Sequence, residues 1–309
     1  MLFRSLRRGE RRISISMALI GIFVVMAMLL AACGNNTGGS GGTTPVPTAN
    51  PQTPTVTPPN DLLTSGTLTV GSDTTYPPQE YIDTSTHQAA GFDIDLITAI
   101  AARMGLQTKV ITANFATIIP SLQVKRFDVV ISAVSVTPDR QKQVDFVPYF
   151  NAGESLLVQT GNPKNITKLS DLCGQNVGVQ NGTIEQTDLQ TASTACTKAG
   201  KPAINLTTLA NQTDVIQLLA TNRVVATYQD SPVTDYYIKL HPGQFTVGGS
   251  VINAGLEGIV VRKGDTSMFN AIKTAFDQLK ANGTYHTLIQ KWNLGDEAIS
   301  LADRRISPA

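Results

Sequence analysis

The residues best suited to chemistry are two serines and an arginine, Ser132, Ser135 and Arg140. The apolar, mostly β-branched residues at 127–131 predict a buried strand that ends at these serines. Thr137-Pro138 combines a good N-cap with a proline suited to the first helical position, so a helix is predicted to begin there. Hydroxyls, a guanidinium and free helix N–H groups can together bind a small carboxylate. The alternative is an ordinary strand, turn and helix with a solvent-exposed arginine.

The first 32 residues have the composition of an export signal. Five arginines between positions 4 and 12 precede an apolar segment from Ile13 to Leu30. A basic region, an apolar region and small residues before a cleavage site are the parts of a secretory signal. The sequence Leu30-Ala31-Ala32-Cys33 resembles a bacterial lipobox, which implies cleavage before Cys33 and lipidation of that cysteine. An uncleaved transmembrane anchor is the alternative, because the apolar segment is almost long enough to span a membrane.

Residues 33–60 are predicted to form a flexible tether behind the lipidated Cys33. They are mostly Gly, Thr, Pro, Asn, Ser and Gln and carry no charge, so they cannot bury enough surface to fold. The protein is therefore expected to be extracytoplasmic, with its folded part held near the bacterial membrane by lipid.

The charge balance argues against a nucleic-acid partner. The chain has 24 basic and 23 acidic residues, and loss of the signal removes five arginines and Glu10, which leaves a net charge of −3. No basic face or block remains. His87, His241 and His286 are isolated, and no Cys/His spacing suits a metal ion. We therefore expect no metal and no cofactor.

Two cysteines, Cys173 and Cys196, remain after Cys33 is assigned to lipidation. An even number of cysteines outside the cell favours a disulfide. Such a bridge would stabilise the fold by about 3 kcal/mol. Two free buried thiols are the alternative.

Strands and helices are predicted to alternate along the remaining chain, which indicates a parallel α/β sheet. The first set is a strand at 68–71, a helix at 91–104, a strand at 109–112, a helix at 116–125 and the strand that begins at 127. The second set is a strand at 176–179, a helix after Gly182 that runs through Gln190, a strand at 203–209, a helix at 213–221, a strand at 224–228 and a helix at 232–240. Helices at 267–282 and 284–292 follow. Two extended segments, 155–159 and 258–262, are predicted to link two lobes and so create a hinge and a cleft.

Several short motifs follow one another in order over residues 66–295. They are Val70-Gly-Ser-Asp-Thr-Thr-Tyr-Pro-Pro78, Gly91-Phe-Asp-Ile-Asp-Leu96, Ile119-Pro-Ser-Leu122, Phe127-Asp128, Thr137-Pro-Asp-Arg140, Val144-Asp-Phe146, Val177-Gly-Val179, Gly182-Thr183 and Asn282-Gly-Thr-Tyr285. The ordered set resembles the extracytoplasmic solute-binding proteins of the polar amino acid family, family 3, which are receptors of ABC importers. The resemblance implies a two-lobed, periplasmic-binding-protein-like α/β fold of type II, with a hinge of two crossover segments and a ligand cleft between the lobes.

The predicted organisation has six parts. A signal peptide (1–32) and a lipidated, tethered segment (33–60) precede the first part of lobe 1 (66–153). Lobe 2 (154–257), the return to lobe 1 (258–297) and a tail (298–309) complete the chain.

The resemblance also implies a pocket for a zwitterion. Arg140, helped by the Thr183 hydroxyl, is expected to bind the α-carboxylate of the ligand. Asp230 is expected to bind the α-ammonium, supported by Ser135 and the Ser132 carbonyl. A zwitterion that leaves water needs both charges paired, and residues in different lobes would make the ligand favour closure. For Asp230, an ordinary helix N-cap is the alternative.

The side chain of the ligand is expected to contact a second set of residues. The resemblance implies that Tyr76 and Phe115 sandwich its aliphatic or planar part, with simple core packing as the alternative. Asp73 contacts it or organises the pocket. Asp93 and Asp95 are predicted to cap their helix rather than to touch the ligand.

Four positions are expected to tune specificity. Gln79 stands where the family usually has an aromatic residue, and Ile184 replaces a common small hydroxyl residue. Gln180 and Glu185 lie near positions that could shape the side-chain pocket. A cationic or amide amino acid is favoured.

The predicted function is a non-catalytic, monomeric receptor that delivers a polar amino acid to the membrane permease of an ABC importer. An enzyme on the same fold, such as a small-acid dehydratase, is one alternative and would need Glu185 or Glu154 as a general acid. A sensory ligand-binding module is the other.

Overall fold

The structure is a computed structural model that describes residues 54–295. The predicted signal peptide, the lipidation site Cys33, most of the tether and the tail at 298–309 lie outside the described residues. Between residues 54 and 295, no helix combines the length and the apolar composition needed to cross a membrane.

The described residues form the alternating strands and helices that the sequence predicts. The strands are β1 Thr67–Ser72, β2 Thr75–Tyr76, β3 Glu80–Ile82, β4 Ala89–Ala90, β5 Gln107–Thr112, β6 Val129–Val130, β7 Val144–Gln159, β8 Asn176–Gln180, β9 Asn205–Leu209, β10 Ala226–Asp230, β11 Phe245–Val247 and β12 Ile252–Arg262. The α-helices are α1 Phe92–Arg103, α2 Ile118–Gln123, α3 Pro138–Gln141, α4 Ile184–Lys198, α5 Gln212–Ala220, α6 Ser231–Leu240, α7 Thr266–Ala281 and α8 Thr284–Trp292.

Nine strands form one sheet in the order β5-β1-β6-β12-β7-β10-β8-β9, with β11 paired to β7. β5, β1 and β6 are parallel at one end, and β10, β8 and β9 are parallel at the other. Between them, β7 and β12 pair antiparallel and pass from one parallel section to the other. This topology confirms the predicted two-lobed α/β fold with two crossover segments. The boundaries predicted between the lobes, 153/154 and 257/258, fall inside β7 and β12.

Each lobe has its own apolar core. In the first lobe, Phe92 and Leu96 of α1 are fully buried in one cluster with Ile272 of α7, because residues four apart lie on one helix face. In the second lobe, Val177 of β8 and Tyr228 of β10 belong to a separate cluster. Full burial of such an apolar side chain contributes about 1.5–3 kcal/mol. Each lobe therefore has apolar packing of its own, and the polar groups of the site lie where the lobes meet.

A disulfide joins Cys173 and Cys196 within the second lobe, with the Cα atoms 5.6 Å apart. The bridge links the chain before β8 to α4. It agrees with the pairing expected from the number of cysteines.

Helix α4 is longer than predicted, since it continues past Gln190 to Lys198. The hydroxyls of Thr191 and Thr194 donate to carbonyls four residues earlier, at 2.9 and 3.0 Å. Threonine lowers helix propensity, but here its polar groups are satisfied within the helix while Leu189 packs inward.

The strand predicted from residue 127 is shorter than expected, because only Val129–Val130 pair in the sheet. The chain turns away at Ala133, whose φ of +44° lies in the left-handed region. The helix predicted at Thr137 begins there but forms a single turn, Pro138–Gln141. This turn has few free N–H groups, because Pro138 has none, the Thr137 hydroxyl accepts the N–H of Arg140 at 3.3 Å, and the Thr137 carbonyl accepts the N–H of Gln141 at 2.9 Å.

The two aspartates of α1 do not cap it, so that prediction is wrong. Gly91 is the N-cap, and no side chain completes the cap. Asp93 points into the protein and accepts a hydrogen bond from Tyr149 Oη at 2.7 Å. Asp95 accepts hydrogen bonds from Lys291 and Trp292 of α8.

Candidate functional site

A small cavity of about 10 Å³ lies between the lobes. Its lining consists of Tyr76, Phe115, Ser132, Ala133, Ser135, Arg140, Gln180, Thr183, Ile184, Glu185 and Asp230. The structure thus brings together ten of the twelve residues predicted to bind ligand or tune specificity. Asp73 and Gln79 are the two that do not line it.

The guanidinium of Arg140 reaches across the cleft. Its Nη1 donates to the carbonyl of Ser135 at 2.9 Å, and its Nη2 donates to the carbonyl of Gly182 in the second lobe at 3.3 Å. The ring of Phe115 packs against it, with the guanidinium carbon 5.5 Å from the ring centroid. A guanidinium held by two neutral carbonyls keeps its positive charge available for a carboxylate.

The charge state of Arg140 depends on opposing effects. Burial lowers the pKa of Arg140, whereas the negative charges of Glu185 and Asp230 raise it. Arginine stays protonated in proteins, so the cavity contains one permanent positive charge.

Asp230 ends β10 and occupies the N-cap position of α6, but its side chain makes no capping hydrogen bond. Its carboxylate accepts a hydrogen bond from Tyr76 Oη of the first lobe at 2.8 Å, and its N–H donates to the same oxygen at 3.0 Å. The residue is therefore an N-cap by position, while its carboxylate faces the cleft. Tyr76 is buried in an apolar cluster, as the packing alternative expects, and it also lines the cavity.

The hydroxyls predicted to assist the ligand have other partners in this structure. Thr183 caps α4 by accepting from the N–H of Gln186 at 3.2 Å, and it donates to the carbonyl of Gln180 at 2.9 Å. Ser132 Oγ accepts from the N–H of Asp73 at 2.9 Å and donates to Glu80 Oε1 at 2.8 Å. These hydroxyls therefore fix the shape of the wall.

Asp73 and Gln79 lie behind the wall. The carboxylate of Asp73 accepts hydrogen bonds from Thr75 Oγ1, at 2.9 Å, and from Gln180 Nε2 of the second lobe. Burial raises the pKa of Asp73 to about 6 despite these bonds. Gln79 is fully buried, and its carbonyl accepts from the N–H of Asp93 at 2.9 Å. Asp73 thus organises the pocket through Gln180.

The cavity is richer in acidic than in basic groups. Glu185, in the first turn of α4, is 3% exposed. Burial and the charge of Asp230 raise the pKa of Glu185 to about 8. Glu154 of β7 lines a wider adjoining opening, and burial together with the charge of Glu185 raises its pKa to about 8. Both carboxyls therefore bind a proton more readily than an exposed glutamate does.

Two residues in contact with the wall were missed at the sequence level. Glu80 accepts from Ser132, and Asp93 accepts from the N–H of Ala133 at 3.0 Å. No local sequence feature indicates this role. Glu80 lies two residues after Pro78, and Asp93 lies in the first turn of a helix, where an aspartate is normally interpreted as a cap. Only the fold brings them behind residues 132–133.

Comparisons with known proteins find related sequences and structures. Residues 68–295 match the family model described as bacterial extracellular solute-binding proteins, family 3. The putative ABC transporter arginine-binding protein 2 of Escherichia coli K12 is 31% identical over 232 residues, which cover 73% of this chain and 90% of that protein.

Two solved structures of an ancestral arginine-binding protein, one bound to arginine and one to glutamine, are 36% and 35% identical to the chain. Each has a TM-score of 0.68 and covers 74% of this chain and 98% of the other.

Proposed function

The chain belongs to family 3 of the bacterial extracellular solute-binding proteins, and from this membership we propose that it is the extracytoplasmic receptor of an ABC importer for a polar amino acid. One observation carries the proposal: Arg140 of the first lobe and Asp230 of the second line the same cavity. A guanidinium and a carboxylate on opposite walls match the α-carboxylate and the α-ammonium of one amino acid. Because the ligand would bind both lobes at once, it favours the closed form.

The proposed ligand has a cationic or amide side chain, and the acidic cavity favours the cationic class. Once Arg140 and Asp230 pair with the backbone charges of the ligand, Glu185 is left for its side chain, with Glu154 nearby. A guanidinium or ammonium beside Glu185 would lower the pKa of that carboxyl and expel its proton. The relatives named for arginine, and the ancestral protein bound to arginine or glutamine, support the same two classes.

A thermal-shift panel of the common amino acids on the purified protein tests this function. A ligand that binds the folded protein raises its melting temperature by mass action. We expect L-arginine to give a clear rise and L-alanine to give none. A panel without any response would overturn the proposal.

Titration calorimetry at pH 7 separates the two side-chain classes. In buffers of different ionisation enthalpy, L-arginine should release protons on binding, because Glu185 must ionise, whereas L-glutamine should release fewer. In the matched variant Glu185→Gln, the release with L-arginine should fall. Equal proton release by wild type and variant would remove Glu185 from the side-chain site.

We further propose that Cys33 carries a lipid and that the folded part, a monomer, meets the permease at the membrane surface. The sequence Leu30-Ala31-Ala32-Cys33 supports this proposal. In cells fed an alkyne fatty acid, wild type and the tether control Ser40→Ala should be labelled and membrane-bound. Cys33→Ser should not be labelled, and a labelled Cys33→Ser protein would contradict the lipid assignment.

A dehydratase is a second candidate, favoured by one observation. Glu185, whose pKa is raised to about 8 by burial and by the charge of Asp230, lines the cavity with Arg140, which is an arrangement suited to a general acid beside a bound carboxylate. Incubation with a small cyclic hydroxy acid, followed by product analysis, tests it. We expect no turnover, and product that disappears in Glu185→Gln would favour the enzyme.

A further inference from the structure

Two acidic side chains meet behind the cavity wall without a cation. Glu80, at the start of β3, and Asp93, in the first turn of α1, are both fully buried. No basic side chain among residues 54–295 forms an ion pair with either of them. The two carboxyls lie within hydrogen-bonding reach of each other. We call Glu80 and Asp93 the carboxyl pair.

The carboxyl pair holds two consecutive residues of the wall. Ser132 Oγ donates to Glu80 Oε1 at 2.8 Å, and the N–H of Ala133 donates to Asp93 Oδ2 at 3.0 Å. Ala133 has a φ of +44°, and a non-glycine residue in the left-handed region is strained. The strained turn therefore depends on contacts with distant residues. The carboxyl pair accepts one hydrogen bond from Ser132 and one from Ala133.

The count of donors and acceptors favours a proton between the two carboxyls. Asp93 Oδ2 also accepts from Tyr149 Oη at 2.7 Å. The other oxygens, Glu80 Oε2 and Asp93 Oδ1, have no donor among the described protein groups. If both carboxyls were ionised, two uncompensated negative charges would be buried side by side, at a cost of several kcal/mol. One proton relieves the repulsion and forms the missing hydrogen bond.

The surroundings favour retention of that proton. Burial and the charge of Asp93 raise the pKa of Glu80 well above its ordinary value. The other titratable groups that face the carboxyl pair are Asp73, Tyr149 and Glu257, and none of them is basic.

We propose that Glu80 and Asp93 share one proton in the folded protein and that this protonated pair is a positioning device for Ser132 and Ala133 in the ligand-binding wall. The part that concerns ligand rests on the proposed function. Neither residue touches the cavity, so both act through the wall. Loss of the proton at high pH would place two charges together, loosen the turn and weaken ligand binding.

Neutral and truncated variants of Glu80 test the proposal with L-arginine as the probe. Glu80→Gln keeps an acceptor for Ser132 and a donor for Asp93, so its Kd at pH 7 should stay within about threefold of wild type. Glu80→Ala removes both bonds and should bind about tenfold or more weakly. Between pH 7 and 9.5, wild type should lose affinity relative to Glu80→Gln, because only wild type can lose the shared proton. The ratio of the wild-type Kd to the Glu80→Gln Kd should therefore rise. If Glu80→Gln binds as weakly as Glu80→Ala, the position needs a charge and the proposal is overturned.

A measurement without ligand keeps this test separate from the proposed function. A carboxyl whose pKa is raised on folding stabilises the protein fully below its unfolded pKa, and that stability is lost as pH rises toward the folded value. Denaturant unfolding from pH 4 to 9 should therefore show wild type losing stability relative to Glu80→Gln, with the exposed Asp214→Asn as the acid-to-amide control. The shared proton would be refuted if the difference in the free energy of unfolding between wild type and Glu80→Gln stayed constant from pH 4 to 9. Failure of Glu80→Gln to fold would also refute it. If no amino acid binds but this difference changes with pH, only the proposed function fails.

Discussion

Two groups of polar side chains shape the cavity, and they differ in where their partners lie. The cross-cleft group, Arg140, Tyr76 and Asp230, forms hydrogen bonds between the lobes. The hydrogen bonds found for the carboxyl pair, Glu80 and Asp93, within residues 54–295 come from its own lobe. The cross-cleft bonds exist only when the lobes are together, whereas the contacts of the carboxyl pair do not require closure. Charge recognition is therefore coupled to closure, and the shape of the wall is set in advance.

The largest effect is expected from Arg140→Ala in the cross-cleft group. The substitution strands a ligand carboxylate in a closed cavity, so binding of L-arginine should weaken by about 2–5 kcal/mol. That range corresponds to about 30-fold to several thousand-fold in Kd. Titration calorimetry measures it, with Lys142→Ala as the control because Lys142 is exposed and forms a surface ion pair with Asp139. Wild-type affinity in Arg140→Ala would show that charge recognition lies elsewhere.

The next effect is expected from Asp230→Asn. The amide oxygen can still accept from Tyr76, but the charge opposite the ligand ammonium is lost. A hydrogen bond to a charged group contributes about 1.5–3 kcal/mol, so the affinity for L-arginine should fall by that amount. Calorimetry on Asp230→Asn and on the exposed control Asp214→Asn checks it. A loss in both variants would point to general electrostatics rather than to the cross-cleft group.

A pH-dependent effect on stability is expected from Glu185, which faces the cross-cleft group. The pKa of Glu185 is about 8 in the folded protein. The stability that its carboxyl contributes is therefore complete below about pH 4.5 and is lost as pH rises to 8. In the absence of ligand, the free energy of unfolding of Glu185→Gln should therefore rise relative to that of wild type by about 1–3 kcal/mol between pH 5 and 8. Chemical denaturation at both pH values measures the gain. An unchanged difference would mean that Glu185 is ionised in the free protein.

The smallest effect is expected from Tyr149→Phe beside the carboxyl pair. It removes the hydrogen bond to Asp93, so the free energy of unfolding should fall by about 0.5–1.5 kcal/mol. Tyr236→Phe is the control, since Tyr236 is half-buried in the second lobe, and it should change stability by less than about 0.5 kcal/mol. If Tyr149→Phe reduced the affinity for L-arginine as strongly as Asp230→Asn, the carboxyl pair and the cross-cleft group would not have separate roles.

Local sequence pattern predicted the parts of the site that depend on local structure. Apolar periodicity located the helices and strands, and the residues that follow strands, Ser132, Arg140 and Asp230, line the cavity as expected from the family motifs. These residues are recognisable because their place follows from chain order in a two-lobed fold.

The remaining features depend on contacts between distant segments. The strand at 129–130 ends early because Ala133 is held in a left-handed conformation by Asp93, 40 residues away. Glu80 and Ser132 are 52 residues apart. No short-range pattern encodes such bonds, and for Asp93 the first-turn position led to the wrong prediction of a cap.

The pairing of β7 with β12 has a consequence for engineering. Glu154 and Ile252 are partners in that ladder, so residues 155–251 leave the first lobe and return to it at adjacent points. A segment whose two ends are close together can behave as a cassette inserted into a host domain. Exchange of this cassette between relatives would replace the wall that carries Asp230 and Glu185 while it leaves Arg140 and the carboxyl pair in place. Chimaeras of this kind would combine the side-chain preference of one relative with the wall geometry of another.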